Sequence, residues 1–218
     1  SLEMNWVGDW IGRRAHISPD SPAIFEADTS SSFTFDELND RANRLANALS
    51  DQHNLCKDER VCVISRNRIE MVDLFFAAGK RGFILAPISF RLKAPEIQNL
   101  LDRLNPAFVF YEDEFSDLFS SLSLPSSVRA SYELNDDPCS AYKNQLAQAP
   151  ATEANQPLKL TDTFLLIHTG GTTSLPKSCQ ISHQQVVWNS VEIVSSSSGT
   201  IGIAKELVTL PFYHIGGW

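Results

Sequence analysis

The chain has 218 residues, enough for one large or two small domains, and its 43% hydrophobic content can fill a sizeable core. Its formal net charge is −8, from 18 basic and 26 acidic residues. That balance argues against a nucleic acid or an anionic membrane surface held by bulk charge.

The four cysteines indicate the compartment. Cys56, Cys62, Cys139 and Cys179 show no CxxC spacing and no nearby histidine pair, so we expect free thiols in a reducing compartment. No apolar run approaches the length of a membrane span, and the polar start shows no signal peptide. The sequence therefore predicts a cytoplasmic protein without a transmembrane segment.

The N-terminal part predicts a helix followed by a hairpin. The helix covers residues 5–15 and ends in the proline-containing stretch 16–22. Two short apolar strands at 23–25 and 33–35 then enclose a serine-rich turn, which is the pattern of a β-hairpin.

A capping box begins the second helix, because Thr34 precedes Glu37 by three residues. Four apolar residues then line one helix face: Leu38, Ala42, Leu45 and Leu49. Arg41 and Arg44 lie on other faces, and we expect both to be solvated rather than to bind an anion.

Strand and helix alternate in the next part of the chain. Buried strands are predicted at 61–64, 83–86 and 107–111, with helices at 68–80 and from Ala94 onward. This alternation predicts an α/β fold, with a doubly wound and mostly parallel sheet flanked by helices.

Residues 112–160 carry a weaker pattern. Serine-rich and aspartate-rich pieces and four prolines predict turns and a weakly structured connection. Glu112, Asp113 and Glu114 form a short acidic cluster within it. Such a cluster can bind a metal, but a solvated turn or a helix start is the favoured interpretation.

The stretch around residue 170 carries the most specific pattern. Residues 164–167 predict a buried strand, Gly170 and Gly171 permit a tight turn, and three hydroxyls, a proline and a lysine follow: Thr172, Thr173, Ser174, Pro176 and Lys177. Backbone N–H groups, hydroxyls and an ammonium together suit a polyanion, most simply a phosphate.

Two other interpretations of this stretch compete with this one, and the sequence sets the second aside. Segments rich in glycine, threonine and serine are often plain surface loops. A Walker-type nucleotide loop needs glycine directly before the lysine, and that position is Pro176 here.

After this stretch the chain predicts a short strand at 179–181 and a helix capped by Ser182 that runs to about Val194. His183, beside the cap, is expected to be structural or exposed. A buried strand at 207–210 then leads into the segment 211–218.

The run from Thr169 to Lys177 resembles the signature loop of the AMP-forming adenylating enzymes, which include acyl-CoA synthetases, luciferases and peptide-synthetase adenylation domains. Their pattern is roughly Thr-Ser-Gly-Thr-Thr-Gly-x-Pro-Lys-Gly. Six positions match: Thr169, Gly171, Thr172, Thr173, Pro176 and Lys177. The departures are Gly170 for Ser, Ser174 for Gly and Ser178 for Gly.

Two further regions carry the same resemblance. The run 76–92, with Pro87 followed by Arg91 and Leu92, is similar to the family's strand-helix-strand unit. The segment 211–218 resembles the family motif Pro-x-Phe-His-x-x-Gly, which borders the acid pocket. The resemblance thus implies that His214 and Gly216 lie at the acid-binding site.

The resemblance also implies ligands for the signature loop. ATP phosphates would be bound by seven residues: Thr169, Gly170, Gly171, Thr172, Thr173, Ser174 and Lys177. Lys177 would be the catalytic cation and Thr169 a candidate ligand for Mg²⁺, with CoA as co-substrate. Residues 4–218 would form part of the large N-terminal domain of an acyl-CoA-synthetase-like fold.

Family members are much longer, and their adenine and ribose motifs and small C-terminal domain have no counterpart here. We therefore expect the N-terminal part of a longer enzyme, or a truncated product, that is inactive alone. The implied enzyme is an ATP-dependent acid–thiol ligase that makes acyl-AMP and then acyl-CoA. Fatty acids are the leading substrate class, followed by aryl acids such as succinylbenzoate.

Two alternatives stay open at this point. An adenylation domain that loads a carrier protein uses the same first step. A non-catalytic module could instead bind an apolar acid, a nucleotide or a protein partner without turnover.

Overall fold

The structure is a computed structural model that describes residues 7–171, 174–196, 207–214 and 218. Within these ranges the helices are α1 (Trp10–Ile17), α2 (Phe35–Asn47), α3 (Ile69–Arg81), α4 (Ala94–Leu104), α5 (Ser116–Ser120), α6 (Ala141–Gln148) and α7 (His183–Ser196). The strands are β1 (Pro22–Glu26), β2 (Ser31–Thr34), β3 (Arg60–Ile64), β4 (Ile84–Pro87), β5 (Phe108–Glu112), β6 (Ala130–Leu134), β7 (Thr163–Gly171) and β8 (Ser174–Ser182).

The described strands form two sheets. β1 and β2 pair as an antiparallel hairpin, as predicted. The other six lie in the order β6-β5-β3-β4-β7-β8, in which every neighbouring pair is parallel except β7 and β8. This mostly parallel sheet confirms the predicted α/β fold class.

The sheet is wound on both faces. One face packs against α2, α3 and α6, and the other packs against α4 and α5. Along β3, Val61 and Val63 face the first layer, whereas Cys62 and Ile64 face the second. Burial on both faces explains why these strands read as continuous apolar runs rather than as alternating ones.

The order in which successive strands are added to the sheet reverses beside β3. From β3 the chain passes through α3 to β4 on one side, and it reaches β5 on the other side after α4. The carboxyl ends of β3 and β5 therefore form a topological switch point, the edge at which open α/β sheets bind ligands.

The predicted start of α2 is confirmed, whereas the predicted end of α1 differs from the structure. The capping box of α2 forms: the Thr34 hydroxyl accepts from the Glu37 N–H at 3.2 Å, and the Glu37 carboxylate accepts from the Thr34 N–H at 2.8 Å. α1, predicted to end before the stretch 16–22, instead continues to Ile17. The reason is that the first proline stands only at position 19.

Residues 112–160 differ from the expected weakly structured connection. They contain a 3₁₀ turn, α5, β6 and α6. Unlike the fully buried β4, β6 is only partly buried, which is why its sequence carries no continuous apolar run. Tertiary contacts stabilise β6 and α6. β6 pairs with β5 over five positions, and Tyr142 and Leu146 of α6 lie in the core.

Residues 207–210 also differ from the prediction, because they form no strand and are not buried. Leu207 is 81% exposed and Leu210 is 54% exposed. An apolar run alone does not show whether it pairs with a sheet. The segment attaches instead through Asn67, after β3, whose carboxamide nitrogen donates to the Leu210 carbonyl at 2.9 Å.

The described cysteines confirm the predicted free thiols, because Cys56, Cys62, Cys139 and Cys179 form no disulfide. Cys62 lies in the core, and burial raises its pKa to about 12. Within the described ranges, no helix combines the length and the apolarity that a membrane crossing requires.

Candidate nucleotide-binding site

The predicted phosphate-binding stretch lies in the hairpin of β7 and β8. The sequence places a loop directly after Ile167, but the structure continues the strand to Gly171 and resumes it at Ser174. Antiparallel pairing between the two arms extends the strands beyond the apolar run. Thr172 and Thr173, which connect them, lie outside the described residues.

The register of the hairpin brings candidate residues face to face. Thr169 lies opposite Lys177, and Gly171 lies opposite Ser174, with an irregularity in the pairing between Thr169 and Gly171. The backbones of Thr169, Gly170, Gly171, Ser174 and Lys177 are thus collected at one end of the hairpin. β8 is the edge strand of the sheet, which explains how it accommodates Pro176.

The hairpin is anchored by its buried part. Phe164, Leu165 and Ile167 are at most 4% exposed and pack into the sheet's first core layer. β7 also pairs with β4 through Leu165 and Leu85. The end that carries the candidate residues therefore projects from a rigid base, a requirement for a preorganised binding site.

A pair of polar side chains lies just below this end. His168 faces Ser178 across the hairpin, with 3.0 Å between its Nδ1 and the hydroxyl oxygen. Burial, with a smaller contribution from the Arg103 charge, lowers the pKa of His168 to about 4. His168 is therefore neutral near pH 7, and the exposed Lys177 supplies the positive charge at this end of the hairpin.

The predicted acid-site residue His214 lies on a different segment. Its side chain is exposed, and its N–H donates to the Pro211 carbonyl at 2.9 Å, closing a turn. The neighbouring Tyr213 is buried and packs edge-on against Phe90 at 5.3 Å between ring centroids. Gly216, the other predicted acid-site residue, lies outside the described residues.

An aromatic stack runs beside this segment. The Trp218 indole lies between Phe75 and Phe212, with 4.4 Å between ring centroids on each side. The indole N–H donates to the Phe212 carbonyl at 2.7 Å. Phe75 continues to Phe164 at 4.6 Å, so the stack links the segment before His214 to the base of the hairpin.

The acidic cluster predicted at 112–114 is engaged in structural contacts. Glu112, at the end of β5, accepts from the Ser65 hydroxyl at 3.1 Å and from the Arg66 N–H at 2.7 Å. Glu114 pairs with both arms of the Arg66 guanidinium, at 2.6 and 2.7 Å. These contacts favour the interpretation of a turn and helix start over that of a metal site.

The described residues contain no cluster of three His, Cys, Asp or Glu side chains that could hold a metal ion. Mg²⁺ usually reaches proteins with phosphates and several waters, needing only one or two protein ligands.

The sequence did not single out two residues that the structure places near the candidate site. Asn67 and Trp218 both bind the backbone between Leu210 and Phe212. In the sequence, the one indication of a role for Asn67 is its position shortly after the predicted buried strand at 61–64.

The doubly wound, mostly parallel sheet and its terminal β7–β8 hairpin define an α/β protein whose switch point is the usual ligand edge. Comparison with known families makes the assignment specific. The family model described as "AMP-binding enzyme" matches residues 11–218. The chain therefore belongs to the AMP-binding enzyme family, as the resemblance implied, and it forms part of the N-terminal portion of that fold.

Curated relatives and solved structures agree with this membership. A feruloyl-CoA synthase of Amycolatopsis sp. is 26% identical over 208 residues, covering 95% of this chain and 39% of the relative. The long-chain-fatty-acid–CoA ligase FadD13 of Mycobacterium tuberculosis is 27% identical over 218 residues, covering 97% of this chain and 42% of the relative. The inhibitor-bound N-terminal domain of FACL13 from M. tuberculosis superposes with a TM-score of 0.85 at 26% identity, covering 98% of this chain and 53% of that one.

The chain spans about two fifths of the length of these curated relatives. What the whole protein does is therefore a matter for proposal.

Proposed function

We propose that the chain is the N-terminal part of an ATP-dependent acid–CoA ligase, which activates a carboxylic acid as acyl-AMP and transfers it to CoA. Family membership over residues 11–218 supports the class of protein. The observation that carries the proposal is the register of the hairpin, in which Thr169 lies opposite Lys177. The backbones of Thr169 and Lys177 thereby share one end of the hairpin, which supports a common role.

The proposed role of the hairpin is to bind the triphosphate. Backbone N–H groups at Gly170 and Gly171 and hydroxyls at Thr172, Thr173 and Ser174 would donate to the phosphates. Lys177 would act as a mobile point charge, for which a flexible ammonium is suited. Thr169 is the proposed ligand of a nucleotide-bound Mg²⁺, which would supply further charge neutralisation.

The chemistry explains why such donors are needed. In the first step an acid carboxylate attacks the α-phosphorus of ATP, the bond to pyrophosphate breaks, and acyl-AMP forms. An anion thus approaches a polyanion, so fixed donors and a cation lower the barrier by stabilising the charge that develops on the leaving group. In the second step the CoA sulfur attacks the acyl carbon and AMP leaves, so no nucleophilic side chain is required.

The names of the relatives guide the choice of acceptor and acid. Those reported above are CoA ligases or synthases, which supports CoA over a carrier protein as acceptor. One is named for a long-chain fatty acid and another for ferulate. We propose a fatty acid as the substrate and an aryl acid as the second candidate. Acid-dependent ATP–pyrophosphate exchange with a panel of both classes of acid would decide between them. The unpaired thiols support a cytoplasmic location.

Lys177→Ala in the longer protein tests the proposal. We expect acid-dependent ATP–pyrophosphate exchange to fall by about 100-fold, the size of effect seen when one charge-stabilising donor is lost. Lys159→Ala is the matched control, because Lys159 is also an exposed lysine but lies outside the hairpin. Its exchange rate should match that of the wild type.

Two results would contradict the proposal. Wild-type protein that lacks exchange with every acid in the panel would exclude the ligase activity. Equal rates in the Lys177 and Lys159 variants would remove Lys177 from the phosphate site.

A further inference from the structure

The loop after β3 holds a side chain that binds the segment carrying His214. Residues 65–68 leave β3 at the switch point, beside the end of β5. Glu112 fixes the start of this loop through the Ser65 hydroxyl and the Arg66 N–H. It also contacts the Arg68 guanidinium at 3.4 Å. The backbone directly before Asn67 is therefore held to the end of β5, and the side chain directly after it contacts the same carboxylate.

Asn67 itself is directed at the C-terminal segment. Its carboxamide nitrogen donates to the Leu210 carbonyl at 2.9 Å, and its carboxamide oxygen accepts from the Phe212 N–H at 2.8 Å. One side chain thus satisfies a backbone acceptor and a backbone donor two residues apart, as a neighbouring β-strand would. Residues 207–210 form no strand, so this carboxamide takes the place of a strand partner.

The two bonds act on the residues directly before His214. Phe212 is held on its N–H side by Asn67 and on its carbonyl side by the Trp218 indole at 2.7 Å. Tyr213 is fixed by burial against Phe90, and the next residue is His214. The direction in which His214 leaves the turn is therefore set by contacts to the end of β3 and to α3.

We propose that Asn67 is a positioning residue for the acid-binding site, because it holds the backbone of residues 210–212 and thereby orients His214. This inference rests on the proposed function, in which His214 borders the bound acid. Asn67 lies between the end of β3 and the segment 210–212, and it need not touch either substrate. Its loss should loosen acid binding and leave the hairpin that binds ATP unchanged.

Asn67→Ala in the longer protein tests the inference with two independent measurements. The first is hydrogen–deuterium exchange of the peptide that contains Phe212, which requires no activity. Removing the acceptor should speed exchange of the Phe212 N–H at least tenfold. Asn67→Asp keeps an acceptor for this N–H but loses the donor to Leu210, so its Phe212 exchange should stay close to that of the wild type.

The second measurement compares the Michaelis constant for the acid with that for ATP in ATP–pyrophosphate exchange. We expect the KM for the acid to rise about tenfold in Asn67→Ala and the KM for ATP to change by less than twofold. Asn67→Asp should give an intermediate KM for the acid. Asn144→Ala is the control, because this exposed side chain also donates to a backbone carbonyl, that of Cys139 at 2.9 Å, but it lies on α6. It should change neither Michaelis constant.

The outcomes separate the inference from the function on which it rests. Unchanged Phe212 exchange in Asn67→Ala overturns the inference, whatever the activity. Faster exchange with an unchanged KM for the acid, or with equal rises for acid and ATP, overturns it as well. Wild-type protein without acid-dependent activity refutes the proposed function and with it the acid-positioning role, and the exchange data then show only whether Asn67 holds the segment.

Discussion

At the scale of single residues, His183 shows how burial sets a side chain's chemistry. Its imidazole is 1% exposed and stacks on Phe164 with 4.4 Å between ring centroids and 8° between planes. Neither ring nitrogen has a hydrogen-bond partner among the described residues. Burial lowers its pKa to about 4, with the charge of Asp162 opposing and that of Lys57 adding to the effect.

The depressed pKa predicts a loss of stability in mild acid. The unfolded chain binds a proton near pH 6.5 but the folded chain does so only near pH 4, so the free energy of unfolding falls as the pH drops between these values. The contribution of His183 is about 3 kcal/mol at most. His168, whose pKa is also lowered to about 4, adds to the loss over the same range.

His183→Phe tests this account by urea unfolding between pH 4 and pH 7. The variant keeps the stacked ring and removes the titrating group, so the pH dependence should become clearly shallower. Phe164→Leu is the control, because it weakens the stack but keeps the imidazole. It should lower stability by about 1–2 kcal/mol at every pH with the wild-type slope. An unchanged slope in His183→Phe would contradict the account.

Arg41 marks a limit of reasoning from one residue's position on a helix. The sequence predicts a solvated guanidinium because Arg41 lies away from the apolar face of α2. The structure contradicts this: both arms of the guanidinium bind Asp73 of α3, at 2.8 and 2.6 Å. Asp73 is hidden within an apolar helical pattern, so only the packing of α2 on α3 reveals the pair.

At the scale of elements, the Arg41–Asp73 ion pair joins α2 to α3, and a hydrogen bond from Tyr142 adds α6. Asp73 is 1% exposed and also accepts from the Tyr142 hydroxyl of α6 at 2.6 Å. Burial raises the pKa of Asp73, and the Arg41 charge opposes that rise. The cluster Arg41–Asp73–Tyr142 thereby satisfies the polar groups at a junction that apolar periodicity alone does not specify.

Single and double substitutions in this cluster should show strong coupling. Asp73→Leu leaves a partly buried guanidinium without its partner, so we expect a loss of about 3–5 kcal/mol in the free energy of unfolding. Adding Arg41→Met removes the stranded charge, and the double variant should be more stable than Asp73→Leu alone. Additive losses in a double-mutant cycle, measured by urea unfolding, would contradict a coupled pair.

The elements that could be predicted are those with strong local patterns. The strands β3, β4 and β5 are continuous apolar runs, and the capping box of α2 needs only Thr34 and Glu37. β6 and α6 carry no comparable pattern, because each buries only part of its residues and depends on tertiary contacts. The segment 207–210 is predicted as a buried strand because an apolar run does not show whether it pairs with a sheet.

At the scale of the whole molecule, the sequence predicted the family and the α/β class but not the relation between its parts. The two motifs lie far apart along the chain, at 169–177 and at 211–218. The structure links the base of the hairpin to the second motif through the stack from Phe164 to Phe212, and links β3 to it through Asn67. Such long-range contacts leave no periodic signal in a sequence.

The sheet gives a physical reason for this arrangement. Its switch point at the ends of β3 and β5 is where an open α/β sheet has room for a ligand. Here the loop after β3 uses that room to hold residues 210–212, the backbone that leads to His214. We therefore propose that the acid binds at this edge and the phosphates bind at the hairpin.

The central claim is that the end of the β7–β8 hairpin binds the ATP triphosphate. Calorimetric titration of the longer protein with ATP tests it most directly, using wild type, Lys177→Ala and Lys159→Ala. The account predicts that the Lys177 variant binds ATP at least tenfold more weakly than wild type, a difference of about 1.4 kcal/mol, while the Lys159 variant binds normally. Absence of ATP binding by the wild type, or equal affinity in all three proteins, would contradict it.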